Sequence, residues 1–432
     1  MPQHSPTRRP KRIVLTTFGS LGDLHPYVAI ASGLRARGHD AILATSACYQ
    51  QKIEALGISF RAVAPDSDWV SDPRNMLRFM DPRLGLLRLA REVLLPVLRD
   101  SYDDLLAAVN GADLLVSPQF TLAARLVAEK TGIAWASSIH IPMFFFSAYD
   151  LSVLPVAPIL SRQLHCLGRA FWGPLIWFAK RATRPVAKPW YRLRAELGLP
   201  AASETNPLLD GHSPALVLAL FSKLLADKQP DWPPQSVITG FPVFDQEGQA
   251  ALPSELTRFL NDGPPPIVFT MGTAVSANAG KFFEHSAAAA KLLGRRAVLI
   301  HKDPRNRIAA LPRGVMACEY ARFSELFSQA AAIVHHGGIG STGLAMRAGR
   351  PTLIMPCAWD QPDNAERAKR LGIARSILPR HYMPERVAAE LRELLDNPTY
   401  SERALQVADQ MRDEDGVSAA CDTLEALLAR TH

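Results

Sequence analysis

The chain has 432 residues, of which 48% are hydrophobic and 21% are charged, and its formal net charge is +7. This length predicts two domains of ordinary size, and the composition is typical of a folded globular protein, not of a disordered chain. No apolar run approaches the ~20 residues that a membrane-spanning helix needs.

The N-terminal segment, the cysteines and the charge exclude further classes of protein. Met1–Arg12 is polar and basic with no apolar segment behind it, so we expect a frayed tail and not a secretory signal. The five cysteines are scattered without a CxxC pair, which argues against a disulfide framework or a zinc site and favours the cytoplasm. The positive charge could attract phosphates, nucleic acid or a membrane surface, but the chain has no nucleic-acid motif. Nucleic acid is therefore not an expected partner.

The chain opens with a βαβ pattern. A strand over Lys11–Thr17 leads into a glycine-rich turn, and a helix is predicted from about Pro26 to Arg37. The turn is not a dinucleotide-binding fingerprint, because the third glycine is missing and Asp23 stands within it. Asp23 could cap the helix, or it could act as a general base if it is partly removed from water. His25, two residues later, is a second candidate base.

Two stretches of the first half are unusually aromatic. After a predicted strand at Ile133–Ser138, an apolar loop carries His140 and three consecutive phenylalanines, Phe144, Phe145 and Phe146. These rings could line an apolar pocket or belong to the core.

Residues 158–195 interleave aromatic and basic side chains. This pattern suits a surface near anionic lipid, or a helical hairpin with an aromatic inner face and a basic outer face.

The second half begins after a polar stretch over residues 243–263, which we interpret as a linker with one short helix. A strand at Pro266–Thr270 is followed by another glycine turn with Gly272 and Thr273. Further strands are predicted at Ala297–His301 and Val315–Tyr320. The alternation of strands and helices predicts a second α/β domain.

The most informative stretch is residues 331–366. A strand over Ala331–Val334 runs into the glycine-rich turn 335–342, and a helix beginning near Leu344 is stopped by Gly349. Such a turn before a helix favours an anion, because backbone N–H groups and the helix N-terminus offer free donors. The candidate donors and close-approach positions are His336, Gly338, Gly340, Ser341 and Thr342.

A second strand, Thr352–Met355, is followed by an acidic, amide-rich loop that contains Asp360 and Gln361. In a parallel sheet, loops at the carboxyl ends of neighbouring strands share one crevice. A carboxylate and an amide would then lie beside the anion site. The combination predicts a phosphorylated sugar as ligand.

His336-Gly-Gly-x-Gly-Ser341 followed by Asp360-Gln361 resembles the donor signature of nucleotide-diphosphate-sugar glycosyltransferases of the GT-B fold. The chain looks most like the UDP-glycosyltransferase family, with its sterol and macrolide glucosyltransferases and the bacterial rhamnosyltransferase of rhamnolipid synthesis. The resemblance implies an α/β protein with two Rossmann-like domains facing across a cleft. We expect an acceptor domain over residues 1–245, a donor domain over 246–410, and a C-terminal helix in 411–432 that returns to the first domain.

The resemblance also implies roles for single residues. Gly272, Thr273 and the glycine-rich turn would hold the donor diphosphate, Tyr320 would stack on the base, and Asp360 with Gln361 would bind sugar hydroxyls. Asp23 matches the position of the family's general base. The plant enzymes add an aspartate where this chain has Ser117-Pro118-Gln119, so a lone carboxylate is expected. The loop with His140, Phe144, Phe145 and Phe146 would face the acceptor.

The predicted function is inverting transfer of a hexose from UDP-glucose or dTDP-rhamnose to the hydroxyl of an apolar small molecule or lipid. The nucleotide sugar is a co-substrate, no other cofactor is expected, and no metal is required. The protein is expected in the cytoplasm, with peripheral contact at the inner face of the membrane. Two alternatives stay open at this stage, a non-catalytic nucleotide-sugar-binding subunit and a sugar-nucleotide epimerase of the same fold.

Overall fold

The computed structural model describes residues 9–66, 72–202, 206–244, 252–276, 279–301 and 303–430. Most of the predicted N-terminal tail, much of the predicted linker and the side chain of Thr273 lie outside the described part. The described chain forms two parallel sheets, each with helices on both faces. The prediction of two Rossmann-like domains is confirmed.

The first sheet has seven strands in the order β3-β2-β1-β4-β5-β6-β7, and all neighbours are parallel. Its central strands are apolar without alternation, because helices cover both faces. The strands are β1 (Arg12–Thr16), β2 (Asp40–Thr45), β3 (Ser59–Ala62), β4 (Leu114–Pro118), β5 (Ala134–Ile139), β6 (Leu216–Ala219) and β7 (Ser236–Ile238).

Among the residues described, nine α-helices accompany this sheet. They are α1 (Leu21–Ala36), α2 (Gln50–Ala55), α3 (Pro73–Phe79), α4 (Gly85–Arg88), α5 (Leu98–Ala108), α6 (Leu122–Thr131), α7 (Pro158–Gln163), α8 (Gly168–Thr183) and α9 (Lys188–Glu196).

Helix α1 begins five residues before its predicted start, and Pro26 lies inside it. The reason is a capping box, in which Ser20 and Asp23 satisfy backbone donors of the first turn.

The second sheet has six parallel strands in the order β10-β9-β8-β11-β12-β13. Its strands are β8 (Ile267–Thr270), β9 (Ala297–Ile300), β10 (Val315–Cys318), β11 (Ala332–His335), β12 (Thr352–Ile354) and β13 (Ala374–Ser376). Its helices are α10 (Ser254–Asn261), α11 (Thr273–Ser276), α12 (Phe282–Leu293), α13 (Phe323–Ser328), α14 (Ile339–Ala348), α15 (Gln361–Arg370), α16 (Pro384–Asp396) and α17 (Pro398–Gln410).

The last helix, α18 (Gly416–Arg430), packs on the first domain against α1. Cys421 and Leu424 are fully buried in the core that α1 shares with the first sheet. A side chain at Gly33 would approach Val417 Cγ1 to 2.6 Å, so the two helices pass very close there. The C-terminal segment therefore completes the core of the N-terminal domain.

One apolar cluster belongs to both domains. Phe145, Phe221 and Trp232 of the first domain pack in it together with Met346 and Ala365 of the second. The rings of Phe145 and Trp232 stack with centroids 3.8 Å apart. This shared core holds the two sheets in one relative position.

A buried ion cluster reinforces the same junction. The guanidinium of Arg367 on α15 bonds to Asp363 on its own helix, with Nε to Oδ2 at 2.7 Å, and to Asp150 of the first domain. The side chains of Arg367 and Asp363 are each 1% exposed. Asp363 also accepts a hydrogen bond of 2.8 Å from the backbone N–H of Val153, across the junction.

We expect Arg367→Met to destabilise the protein by about 3 to 5 kcal/mol, because it leaves two carboxylates buried without their cation. Arg370→Met is the matched control, since that side chain is about half exposed and bonds to Asp150 from the outside. It should cost less than about 1 kcal/mol. Urea unfolding of both variants measures the difference, and equal effects would contradict the role given to Arg367.

Candidate active site

The glycine-rich turn after β11 is shorter than predicted. Helix α14 starts at Ile339, with Gly338 as its N-cap, and not near Leu344. Gly340 and Ser341 therefore lie in the first helical turn, where backbone N–H groups have no partner within the helix. The backbone N–H of Thr342 already donates to the carbonyl of Gly338 at 2.9 Å. The hydroxyl of Thr342 is buried and donates to the carbonyl of Gly338 at 3.0 Å, so it already has an acceptor. The helix N-terminus supplies the anion-binding character of this turn.

His336 is clamped between two glycines. Its Nδ1 accepts a hydrogen bond of 3.0 Å from the backbone N–H of Gly272, which assigns the ring proton to Nε2. Burial lowers the pKa of His336 to about 4, so the ring is neutral at pH 7. A Cβ at Gly272 would lie 2.2 Å from His336 Cε1, and one at Gly338 would lie 2.5 Å from Nε2. Both glycines are needed to let this ring stand between the two turns.

The N-terminus of α15 carries the predicted sugar-binding pair. Gln361 is buried, and its Oε1 accepts from the backbone N–H groups of Cys357 and Ala358 at 2.7 and 3.0 Å. Its oxygen therefore holds the loop in place, and its NH₂ group remains as a hydrogen-bond donor. The Asp360 carboxylate accepts from Asn364 Nδ2 at 2.6 Å. Burial raises the pKa of Asp360 to about 7, and the charge of Asp23 adds to the effect.

The surroundings of Asp23 fit both of its proposed roles, helix cap and general base. Its Oδ2 accepts hydrogen bonds from Ser20, from the backbone N at 2.8 Å and from Oγ at 2.9 Å, so it does serve in the helix cap. The side chain also faces a cavity between the two domains. Burial raises the pKa of Asp23, and the hydrogen bonds from Ser20 act in the opposite direction. A carboxylate that is held in place and partly removed from water has the properties of a general base.

The cavity brings together predicted residues from both domains. It encloses about 1170 Å³, part of it open to solvent, and its wall is mainly apolar. Asp23, His140 and Phe144 line it from the first domain, and Asp360 lines it from the second. The Nε2 of His140 has no hydrogen-bond partner in the described part of the chain, and burial lowers the pKa of His140 to about 4.

Other predicted residues lie elsewhere. Phe145 points away from the cavity into the core shared by the domains, and Phe146 lies beside Lys180, whose Nζ is 5.6 Å from the ring centroid. His25 packs against Phe244 with ring centroids 5.4 Å apart and does not line the cavity. Tyr320 follows the carboxyl end of β10 and is 46% exposed.

The structure places in the cavity two residues, Trp359 and Gln119, to which the sequence analysis gave no role in the site. Trp359 precedes Asp360 with a left-handed backbone (φ 52°), and its Nε1 donates to the carbonyl of Phe79 at 2.6 Å, across the cleft. Gln119 is buried against the cavity, and its Oε1 has no partner among the residues described. The only sequence signal for Gln119 was its place after β4, and none indicated Trp359.

Two family matches cover most of this architecture. Residues 13–138 match the glycosyltransferase family 28 N-terminal domain, and residues 287–427 match the erythromycin biosynthesis protein CIII-like C-terminal domain. O-mycaminosyltylonolide 6-deoxyallosyltransferase of Streptomyces fradiae is 31% identical over 96% of this chain and 97% of its own length. The chain belongs to the nucleotide-sugar glycosyltransferases of the GT-B fold.

Solved glycosyltransferases share the fold of this one. Spinosyn forosaminyltransferase SpnP has a TM-score of 0.72 at 19% identity, covering 97% of this chain and 99% of its own. Spinosyn rhamnosyltransferase SpnG, complexed with thymidine diphosphate, has a TM-score of 0.68 at 16% identity, covering 96% and 100%. The predicted GT-B architecture is confirmed.

Two negative findings concern the part of the glycosyltransferase that the structure describes. It contains no group of three or more His, Cys, Asp and Glu side chains placed to hold a metal ion. None of its helices combines the length and the apolar character that a membrane span demands.

We expect Gly338→Ala to weaken binding of a nucleoside diphosphate at least about tenfold, because the added methyl group displaces the His336 ring. Gly340→Ala is the matched control for folding. A Cβ there meets nothing within 4 Å, so it should stabilise α14 by about 0.5 to 1 kcal/mol. Calorimetric titration with UDP and dTDP, beside thermal unfolding, measures both effects. Unchanged affinity in Gly338→Ala would remove His336 from the donor site.

A second expectation follows from Asp360. Its pKa in the folded chain, about 7, lies above its ordinary value of 3.8, so ionisation opposes folding. The resulting loss of stability grows as the pH rises from about 4 to 7 and is complete above that. Asp360→Asn should therefore be more stable than the parent by about 4 kcal/mol at pH 8 and nearly equal to it near pH 4. Urea unfolding at both pH values tests this expectation. If the variant is less stable than the parent at pH 8, the Asp360 carboxylate of the parent is well solvated or paired, which contradicts the expectation.

Proposed function

We propose that the protein is an inverting glycosyltransferase that moves a hexose from a nucleoside diphosphate sugar to the hydroxyl of an apolar acceptor, with Asp23 as general base. The observation that carries the proposal is the cavity between the domains. A carboxylate from each domain, Asp23 and Asp360, faces the same mainly apolar space. This supports an acceptor whose single reacting hydroxyl must be deprotonated while the rest of it is held by apolar contacts.

In this mechanism, Asp23 accepts the proton of the acceptor hydroxyl as the oxygen attacks the anomeric carbon. The bond from that carbon to the diphosphate oxygen breaks on the opposite face, which inverts the configuration. Both bonds from Ser20 end on Oδ2 of Asp23, so the second carboxylate oxygen is the proposed proton acceptor. The raised pKa of Asp23 favours this transfer, since it makes the carboxylate more basic.

The leaving diphosphate gains negative charge during the reaction. We assign its stabilisation to the first-turn N–H groups of α14 and to the Nε2–H of neutral His336, without a metal ion. The hydroxyls of Ser341 and Thr273 are proposed as further donors. Asp360 and the NH₂ group of Gln361 bind sugar hydroxyls, and Tyr320 stacks on the nucleobase.

Among the donors left open by the sequence, we favour a thymidine diphosphate deoxyhexose over UDP-glucose. The S. fradiae relative is named as a 6-deoxyallosyltransferase, and two of the solved structures with this fold, VinC and SpnG, contain thymidine diphosphate. A thermal-shift panel of UDP, dTDP and GDP sugars tests the choice, and stabilisation by UDP-glucose alone would overturn it. The five free cysteines support a cytoplasmic location for the reaction.

We expect Asp23→Asn to lower kcat by about 10² to 10⁴ while the affinity for the donor stays unchanged, because the amide cannot accept a proton. Ser20→Ala is the matched control, since it removes a hydrogen bond to the same carboxylate and keeps the base. It should cost about 0.5 to 2 kcal/mol of stability and leave most of kcat.

Transfer assays by mass spectrometry with apolar alcohols, together with donor titrations, distinguish the two roles. If both variants lose activity in proportion to stability, Asp23 acts only as a helix cap.

A further inference from the structure

The outer face of α7 and α8 is apolar where a helix in water should be polar. On α8, Phe171, Leu175 and Phe178 recur at spacings of four and three residues, so they lie on one side of the helix. Their exposed fractions are 46%, 43% and 63%, and Trp177 beside them is 64% exposed. Trp172, one residue after Phe171 and so turned about 100° from it around the helix axis, is buried and donates to the carbonyl of Leu164. The helix is therefore anchored on one side, while Phe171, Leu175 and Phe178 form an apolar stripe that nothing in the described part of the chain buries.

The apolar surface extends beyond α8. Leu160 within α7 and Leu167 in the turn between the helices are 54% and 45% exposed. We call these exposed apolar side chains together the α7–α8 patch. It consists of Leu160, Leu167, Phe171, Leu175, Trp177 and Phe178.

The charged side chains of the segment around the patch have one sign, since residues 151–195 contain eight lysines and arginines and no aspartate or glutamate. Acidic residues of other segments pair with three of the eight: Glu366 with Arg162, Asp210 with Lys180 and Glu129 with Arg194. Arg181 lies over the Trp177 ring, with its guanidinium carbon 5.9 Å from the ring centroid, and Arg169 lies over Tyr149 at 5.4 Å. Tryptophan, phenylalanine and basic side chains side by side are the composition of protein surfaces that enter the interface of an anionic bilayer.

The patch also adjoins the acceptor cavity. Pro155 lines the cavity and lies three residues before α7. The backbone N–H of Leu154 donates to Ser161 Oγ on α7 at 3.1 Å, which ties the cavity wall to that helix. From the other side, Phe144 of the cavity contacts Phe146, and Phe146 contacts Lys180 of α8. A molecule held in a bilayer at the patch would therefore lie next to one wall of the cavity.

We infer that the α7–α8 patch docks on an anionic lipid surface and that an apolar acceptor passes from this lipid into the cavity. The inference rests on the proposed function for its second half, since only a glycosyltransferase with an apolar acceptor needs such delivery. Lipid is chosen as the occupant because basic side chains flank the patch and its aromatic side chains are exposed. If a partner protein or a second copy of the chain covered the patch instead, the chain would not bind to lipid vesicles through it.

The test begins with vesicle flotation of the full chain. One set of vesicles is phosphatidylcholine alone, and the other contains equal parts of phosphatidylcholine and phosphatidylglycerol. We expect binding to the mixed vesicles, with weaker binding to the neutral ones and a fall at high salt. Trp177→Ser with Phe178→Ser should lower the partition coefficient for the mixed vesicles at least about tenfold. Leu292→Ser is the matched control, because Leu292 is 54% exposed on α12 of the other domain.

Circular dichroism and thermal unfolding show whether the variants keep their fold. Failure of the wild-type chain to float, or equal flotation of the double variant, overturns the inference. A wild-type dimer that the double variant abolishes, with no flotation, would identify a second copy as the occupant.

Transfer to an alcohol carried in the mixed vesicles should then fall about tenfold in the double variant, while transfer to the same alcohol in detergent is unchanged. If the chain floats with the vesicles but transfers nothing in vesicles or in detergent, the docking surface is supported and the proposed apolar acceptor is rejected.

Discussion

The cavity between the two domains of this glycosyltransferase depends on the buried contact that joins them. Arg367 has almost no solvent contact and binds carboxylates of both domains, while Phe145 and Trp232 pack into a core that both domains share. A buried cation of this kind is tolerated only when its partners are in place, so the domains have little freedom to shift without breaking the cluster. This constraint holds Asp23 and Asp360 against one cavity.

The same junction connects the two proposed halves of the site. Helix α15 begins with Gln361, which is proposed to bind the sugar, and carries Arg367 less than two turns later. Through Asp150 and Asp363, this helix is bonded to the segment around Val153, which leads to the cavity wall and then to α7. A change in the position of α15 would therefore move that wall of the cavity as well. The proposed sugar-binding and acceptor-binding residues thus share one rigid element.

Buried polar groups in the site each serve two purposes. Asp23 closes the capping box of α1 and faces the cavity, and Gln361 holds its own loop with its oxygen while its NH₂ group remains a donor. His336 accepts from Gly272 and so presents a defined tautomer. Hydrogen bonds of this kind fix the orientation of a side chain before any ligand binds, which reduces the rearrangement needed during reaction.

The sequence by itself determined the two parallel sheets, the glycine-rich turn before α14 and the pairing of that turn with Asp360-Gln361, because apolar runs and glycines act locally. It could not decide where α1 and α14 begin. Helix α1 begins early because Ser20 and Asp23 form a capping box, and α14 begins early because the Gly338 carbonyl accepts hydrogen bonds from Thr342.

Only the tertiary structure separated Phe144, which lines the cavity, from Phe145, which lies in the core. Consecutive side chains of a short 3-10 turn point in different directions, and packing against Trp232 selects which one is buried. The Arg367 cluster was invisible in the sequence, because burial of a charge depends on what the other domain covers. The sequence did show the aromatic and basic residues of 158–195, but only packing decided which of these rings are exposed on α8.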